Sequence, residues 1–383
     1  MDDMVPVRPA RRWPLREARR CYPRPAMTHI FISPHPDDAA LSCGGLIASL
    51  RELGQSVTII SVFSGGPEAG TQLTDYQRTA LGFGNKTLWP LTEAFDRTDV
   101  LPDYPVVASA GGNAPWAADA ERIAVTQERA NTQARQFWQR ASWTRAANVT
   151  NVQTADRPLA DSVPGQGTLD GIDLDSADAA AIRRAEDARF AWFMESSLVD
   201  LGLPDAVYRG YEGDGQLLGG PRADDEPPLA ALRREIMRLE PQQVYFPLGI
   251  GGHVDHVLCR DVAMALLRTE RGWVMPGPDL ADGLSFYEDF PYAWWNDFGG
   301  QADLPLGTEA LGDGRALHAR YADISEFVDR KVAGLRVYAS QVEQLFHSDQ
   351  GMLDDVAGYA RRVAFAGGLG TGAAERYWSV VRP

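Results

Sequence analysis

The sequence predicts an α/β protein of three layers, a mostly parallel sheet between helices, interrupted by a long insertion. Two observations predict it. A buried-strand run at 29–33 is followed by a helical pattern and by a second strand-like run at 57–63, the order of a right-handed parallel strand–helix–strand unit. The same order returns downstream, where a strand-like run at 244–248 precedes a helical stretch at 257–267.

Residues 1–26 are arginine-rich and lack the apolar centre of a secretion signal, so they are expected to form a disordered extension, and Met27 is a second candidate start. The first helix is expected over 44–53, with Leu46, Ile47 and Leu50 on its apolar side and Gly54 ending it. A sheet of this Rossmann-like kind keeps its ligand crevice at the carboxyl ends of its strands, which is where residues 34–45 and 249–256 fall. After Gly65-Gly66-Pro67 the pattern loosens, and 67–179 is read as an insertion or lid. It carries Trp89, Trp116, Trp138 and Trp143 and one helical pattern at 123–141, while its polar part at 144–178 reads equally as a disordered loop. Beyond it the sequence predicts a helix over 180–200, a turn at 201–205, a helix at 229–239, a strand at 284–288 and a long amphipathic helix at 324–346. Residues 27–383 are read as a single domain.

The formal charge of −15 over 383 residues argues against nucleic acid or an anionic membrane as the main partner, because both would be repelled at long range. A neutral or cationic small molecule fits better. No apolar run is long enough to span a bilayer. Cys21, Cys43 and Cys259 have neither metal-type nor disulfide-framework spacing, which points to a reducing, cytoplasmic setting. A homo-oligomer is compatible with the chain but nothing in it specifies one.

The densest chemistry lies in Ser33-Pro34-His35-Pro36-Asp37-Asp38, directly after the first strand, and in Gly251-Gly252-His253-Val254-Asp255-His256, directly after the 244–248 strand. Together they hold three of the six histidines. A hydrolytic metal site uses three protein ligands, mostly histidine and carboxylate, and leaves one position for water. A nearby carboxylate then manages the water's proton. His35 and one of the two aspartates can face a metal while the other aspartate faces the water, and His253 and His256, three apart, share one face of a helix start. The duller explanation is that Asp37 and Asp38 cap the following helix and that the two histidines are ordinary polar residues. Two such clusters, each after a buried strand, favour the metal site.

Residues 34–45 and 253–256 resemble the two signature motifs of the PIG-L/LmbE-like zinc N-deacetylases, which remove acetyl groups from N-acetylglucosamine-type sugars. Arg183-Arg184-Ala185-Glu186, Leu201-Gly202-Leu203-Pro204-Asp205, Phe286-Tyr287-Glu288-Asp289 and the segment with Lys331, Arg336, Tyr338, Ser340 and Gln341 are similar to later family segments in the same order. The resemblance implies one Zn2+ per chain, or another divalent metal such as Fe2+, held by His35, Asp38 and His256. It implies Asp37 as general base, His253 as oxyanion stabiliser, Asp255 as the group orienting a histidine, and Arg183 and Asp205 as sugar-hydroxyl contacts. The implied substrate is an N-acetylated amino sugar or glycoconjugate. Many members carry glutamate after the aspartate pair where this chain has Ala39, a variant resembling the branch that acts on glycoconjugates. The mycothiol branch places a tyrosine where this chain has Gly251.

Two other functions fit parts of the pattern. A metal phosphoesterase would use the same residue types but usually bridges two metals, for which the sequence offers too few ligands. A non-catalytic sugar-binding protein would need no base beside a metal site. Cys43 is read as a small buried thiol, and His29, His318 and His347 have no partners at useful spacing.

Overall fold

The computed structural model describes residues 27–66, 71–82, 176–268, 283–295, 311, 315–370 and 372–381. The N-terminal extension, most of the insertion with its four tryptophans and its 123–141 helix, and Cys21 lie outside the described residues.

Mostly apolar runs form the parallel strands: β1 (Thr28–Ser33), β2 (Ser56–Ser61), β3 (Ser197–Asp200), β4 (Gln243–Pro247) and β5 (Leu284–Tyr287). All five run parallel, and β7 (Ala374–Val381) and β6 (Ala316–Asp323) extend the sheet antiparallel, in the spatial order β3-β2-β1-β4-β5-β7-β6. Ile30, Phe31, Ile32, Ile59, Ile60, Val244, Phe246 and Phe286 are fully buried, as a sheet covered on both faces requires.

The order decides where the site lies. From β1 the chain crosses to β2 through α1 (Asp38–Glu52) and reaches β3 after α2 (Asp75–Ala80) and α3 (Ser176–Phe193). A 3-10 turn, Ala206–Tyr208, then α4 (Asp214–Leu217) and α5 (Leu229–Leu239) return it to β4, and α6 (Val254–Arg268) leads the other way to β5. Strands β1 and β4 are neighbours, with His29 beside Gln243 and Phe31 beside Tyr245. Their outgoing connections diverge, so a crevice opens beyond their carboxyl ends. Residues 34–38 and 248–256 line it. After β5 come α7 (Tyr292–Trp295), α8 (Val328–Leu335), α9 (Ala339–Phe346) and α10 (Asp349–Ala366).

Four expectations need correction. The first helix begins at Asp38 rather than near residue 44, so the aspartates sit at its very start. The expected 180–200 helix stops at Phe193, because Glu195 takes a left-handed backbone (φ 55°), and residues 197–200 pair with β2 as an edge strand. The expected 324–346 helix is two helices. The Val337 and Tyr338 amides donate to Gly334 and Leu335 carbonyls, a tightened turn that carries the Tyr338 hydroxyl to Asp187 (2.7 Å) and the Ser340 amide to Glu186 (2.9 Å). Finally β6, β7 and α10 were not foreseen. Buried Glu375 and Arg376 interrupt the apolar alternation of β7, and both are ion-paired, to Lys331 (2.8 Å) and Glu288 (2.5 Å).

Candidate active site

The turn after β1 is fixed by its own side chains. The Ser33 hydroxyl donates to the His35 carbonyl (2.7 Å) and accepts the Ala39 amide (3.0 Å), so residues 33–39 close into a rigid loop. The His35 amide donates to Asp38 Oδ2 at 2.8 Å. Asp37 occupies the position before α1 with φ 116°, yet its side chain makes no cap hydrogen bond. Capping therefore does not explain it. A non-glycine residue with this backbone stores strain, and such strain collects at functional sites.

Asp38 Oδ2 is the centre of the arrangement. It lies 3.1 Å from His35 Nδ1 and 3.2 Å from His256 Nε2. Two ligand atoms on a tetrahedral ion with bonds of about 2.0–2.1 Å stand roughly 3.3 Å apart, so each of these two separations is that of a pair of ligands on one ion. The other nitrogen of each imidazole is held by a carboxylate: His35 Nε2 by Asp255 Oδ2 at 2.9 Å, His256 Nδ1 by Asp289 Oδ1 at 2.7 Å. Carboxylate partners of this kind fix ring orientation and raise ligand basicity. His35, His253 and His256 also bring ring nitrogens within 4.8 Å of one another, as His35, Asp205 and Asp255 do with their ligand atoms. In the second of these groups Asp255 is already engaged by Arg209 Nη2 (2.5 Å) and the Ala206 amide (3.1 Å), so the side chains free to hold a cation here are His35, His253 and His256, with Asp38 beside His35 and His256.

Charge supports the same conclusion. Asp37, Asp38, Asp205, Asp255 and Asp289 are all buried here, and Arg183 and Arg209 are the fixed cations among them. Buried charge is stable when paired or bound to metal. Without an added cation the two imidazoles take up the difference. Burial opposes protonation of His35, yet Asp205, Asp255 and Asp38 raise it to about 9. Burial likewise opposes protonation of His256, and Asp38 and Asp289 outweigh it. A divalent ion would displace those protons.

His253 is different. Burial and the neighbouring His35 and His256 charges hold it well below the ordinary histidine range, so it is neutral. Its Nδ1 accepts the Asp255 amide at 3.3 Å, which leaves the proton on Nε2. Its ring stands 4.8 Å from that of His35 and 5.3 Å from that of His256, centroid to centroid.

Burial pushes the Asp37 carboxyl above the ordinary range, Arg183 opposes this, and the Asp38 charge adds to it. Arg183, on α3, bridges Asp37 Oδ2 and Asp205 Oδ2, each at 3.5 Å, and donates to the Pro36 carbonyl at 3.3 Å. Asp205 Oδ1 also accepts the Val207 amide at 3.1 Å. Both residues line a shallow cleft with Pro36, Phe63, Ser64 and Tyr208.

The structure thus brings together His35, Asp37, Asp38, Arg183, Asp205, His253, Asp255 and His256. Sequence reasoning missed Asp289 and Arg209. Asp289 had a faint signal, an acid just beyond a strand end; Arg209 had none. Among the described residues, no helix is long and apolar enough to cross a membrane.

Residues 30–88 match the family model described as PIG-L, GlcNAc-PI de-N-acetylase. A 2'-N-acetylparomamine deacetylase from Streptomyces fradiae is 33% identical over 165 residues, 42% of this chain and 53% of that protein, so the chain matches about half the length of this curated relative. Among solved structures, the zinc-inhibited form of teicoplanin deacetylase Orf2 superposes with a TM-score of 0.53 at 19% identity, covering 93% of this chain and 98% of that one. A deacetylase–teicoplanin complex from the teicoplanin biosynthetic pathway gives 0.51 at 19% identity, covering 93% and 99%. At these identities the two structures establish a shared fold.

Proposed function

We propose that the chain is a member of the PIG-L/LmbE-like family of de-N-acetylases and acts as a metal-dependent hydrolase removing an acetyl group from the nitrogen of an amino sugar or its glycoconjugate. The observation that carries this reading is Asp38 Oδ2, which faces His35 Nδ1 and His256 Nε2 beside a second carboxylate, Asp37, that caps no helix.

His35, Asp38 and His256 would hold one divalent ion, zinc or Fe2+, which when bound supplies Lewis acidity and a lowered pKa for water. The remaining roles belong to the chain. Asp37, buried and above its ordinary range, takes a proton from the attacking water and later gives it to the departing amine. Arg183 holds Asp37 in place from α3. His253, neutral with its proton on Nε2, donates to the acyl oxygen as negative charge develops there. Asp255 orients His35, and Arg209 in turn holds Asp255. Asp205 and the cleft face of Arg183 meet the sugar hydroxyls.

The substrate class draws on the relatives named for N-acetylparomamine and teicoplanin, and on Ala39. The excess of acidic groups suits an amino sugar, whose product carries a new ammonium. The test is a screen for acetate release across N-acetylated mono- and disaccharides and glycoconjugates, with metal quantified in the same preparation. Release from at least one N-acetylamino sugar is expected. Hydrolysis confined to phosphate esters, or sugar binding without hydrolysis, would overturn the reading.

A further inference from the structure

The ion pair of Asp255 and Arg209, one layer behind His35, serves two parts of the site at once. Asp255 lies at the start of α6 and is fully buried. Its Oδ2 meets His35 Nε2 at 2.9 Å and accepts the Ala206 amide at 3.1 Å, while Oδ1 accepts Arg209 Nη2 at 2.5 Å. The guanidinium reaches further. Its Nη1 donates to the Pro204 carbonyl at 2.7 Å, Nε and Nη2 fork onto the Asp225 carboxylate at 2.9–3.3 Å, and its face lies 4.7 Å from the centre of the Phe63 ring.

These contacts converge on Asp205. Pro204 precedes it and Ala206 follows, so Arg209 holds the backbone on one side, Asp255 holds it on the other, and the two holders are bonded to each other. Up to Leu203 the chain is tied to the segment after β2: the Leu203 amide donates to Val62 at 3.1 Å, and the Gly65 amide donates to Leu203 at 2.9 Å. The Asp205 amide reaches the Gly65 carbonyl only at 3.3 Å. The aim of the Asp205 carboxylate thus depends on the same ion pair that orients His35.

The anchor is itself anchored. Asp225 also accepts the Tyr211 hydroxyl at 2.9 Å, and that oxygen accepts the Arg222 amide at 2.9 Å, so the carboxylate is presented to Arg209 from a closed turn. Meeting two carboxylates and a carbonyl together takes the planar fork of an arginine. A lysine has the charge but not the fork.

We propose that Arg209 is a positioning residue that couples the two halves of the site, setting the metal ligand His35 through Asp255 and the sugar-side carboxylate Asp205 through Pro204. The inference rests on the roles given to His35 and Asp205 above.

The test uses Arg209→Met and Arg209→Lys in the full chain. Arg209→Met keeps a long apolar stem for Phe63 but leaves Asp255 Oδ1 buried without its donor, so the carboxylate loses its fixed orientation. Zinc affinity, read by competition with a chelator, is expected to fall about 10-fold, and the visible spectrum of the cobalt-loaded protein to change with it. At saturating zinc, KM for the N-acetylamino sugar that the wild type hydrolyses best should rise about 10-fold with kcat within a factor of about three, because Asp205 binds ground and transition states alike. Arg209→Lys keeps a charge for Asp255 without the fork, and should regain zinc affinity to within about threefold while KM stays raised. Should Arg209→Met not fold, Asp225→Asn, which loosens the fork from outside the site, should move zinc affinity and KM in the same directions by about threefold. A group that merely stabilises the loop would lower melting temperatures and leave the zinc affinity, cobalt spectrum and KM of the folded variants unmoved, and that result overturns the proposal. If the wild type binds zinc but releases no acetate from any N-acetylamino sugar, the hydrolysis reading fails; lost zinc affinity in the variants then still upholds the arm through Asp255, and unchanged affinity overturns it.

Discussion

Asp289 Oδ1 holds His256 Nδ1 at 2.7 Å, and its other oxygen accepts the Ile250 amide at 2.9 Å. One carboxylate at the end of β5 thereby fixes both the imidazole and the loop that delivers it. Asp289→Asn keeps the shape but loses the charge that makes His256 a strong ligand. Metal affinity is expected to drop about 10- to 100-fold, read by competition with a chelator, at unchanged circular dichroism.

Asp37 separates function from stability. Asp37→Asn should retain metal while kcat falls about 10²- to 10⁴-fold, as expected for loss of a general base. At φ 116°, Asp37→Gly should be more stable than Asp37→Ala by about 1 kcal/mol or more, because only glycine relaxes there. Both should be inactive, so thermal melts and acetate release together check the assignment.

Lys331 and Glu375 bind α1 to the antiparallel end of the sheet. Glu375 accepts from Lys331 Nζ (2.8 Å) and from the Gly45 and Leu46 amides (2.9 and 2.7 Å). Glu375→Gln leaves a buried ammonium without its counter-charge and is expected to cost about 3–5 kcal/mol in denaturant unfolding. Pairing it with Lys331→Met should recover part of that loss.

His29 and Glu186 set opposite pH dependences of stability. Burial lowers His29 to about 4, so between pH 6.5 and 4 the unfolded chain binds the extra proton and stability falls as pH falls. Burial raises Glu186 to about 7 against the Ser340 hydrogen bonds, so its contribution is full below about 4.5 and lost as pH rises toward 7. Relative to the wild type, His29→Phe should gain stability on acidification from pH 7 to 4.5, and Glu186→Gln should lose it over the same range. Melting temperatures measured across this range check both signs.

The first signature motif was legible because β1 and the turn after it are contiguous: Ser33 to Asp38 carries its chemistry and its location in one stretch. The second was legible for the same reason after β4. Their meeting needed only the rule that divergent parallel connections open a crevice between neighbouring strands. Asp289 was not legible as a site residue, because it acts through His256, a contact that exists only once β5 lies beside β4. Arg183 reads differently in three dimensions as well, since its guanidinium spans Asp37 and Asp205 in addition to facing the cleft. The edge strand β3 escaped notice because its four residues, one exposed and three half-buried, carry no alternation, and β7 because its buried Glu375 and Arg376 look like surface residues until their partners are known.

The central claim is that Asp38 joins His35 and His256 around one metal that serves amide hydrolysis. Metal content and acetate release measured on the same protein, before chelation, after it and after metal is restored, test this most directly. The account predicts about one divalent ion per chain, acetate release lost with the ion and recovered with it, and neither in His256→Ala. Full acetate release from metal-free protein, or two ions per chain, would contradict it.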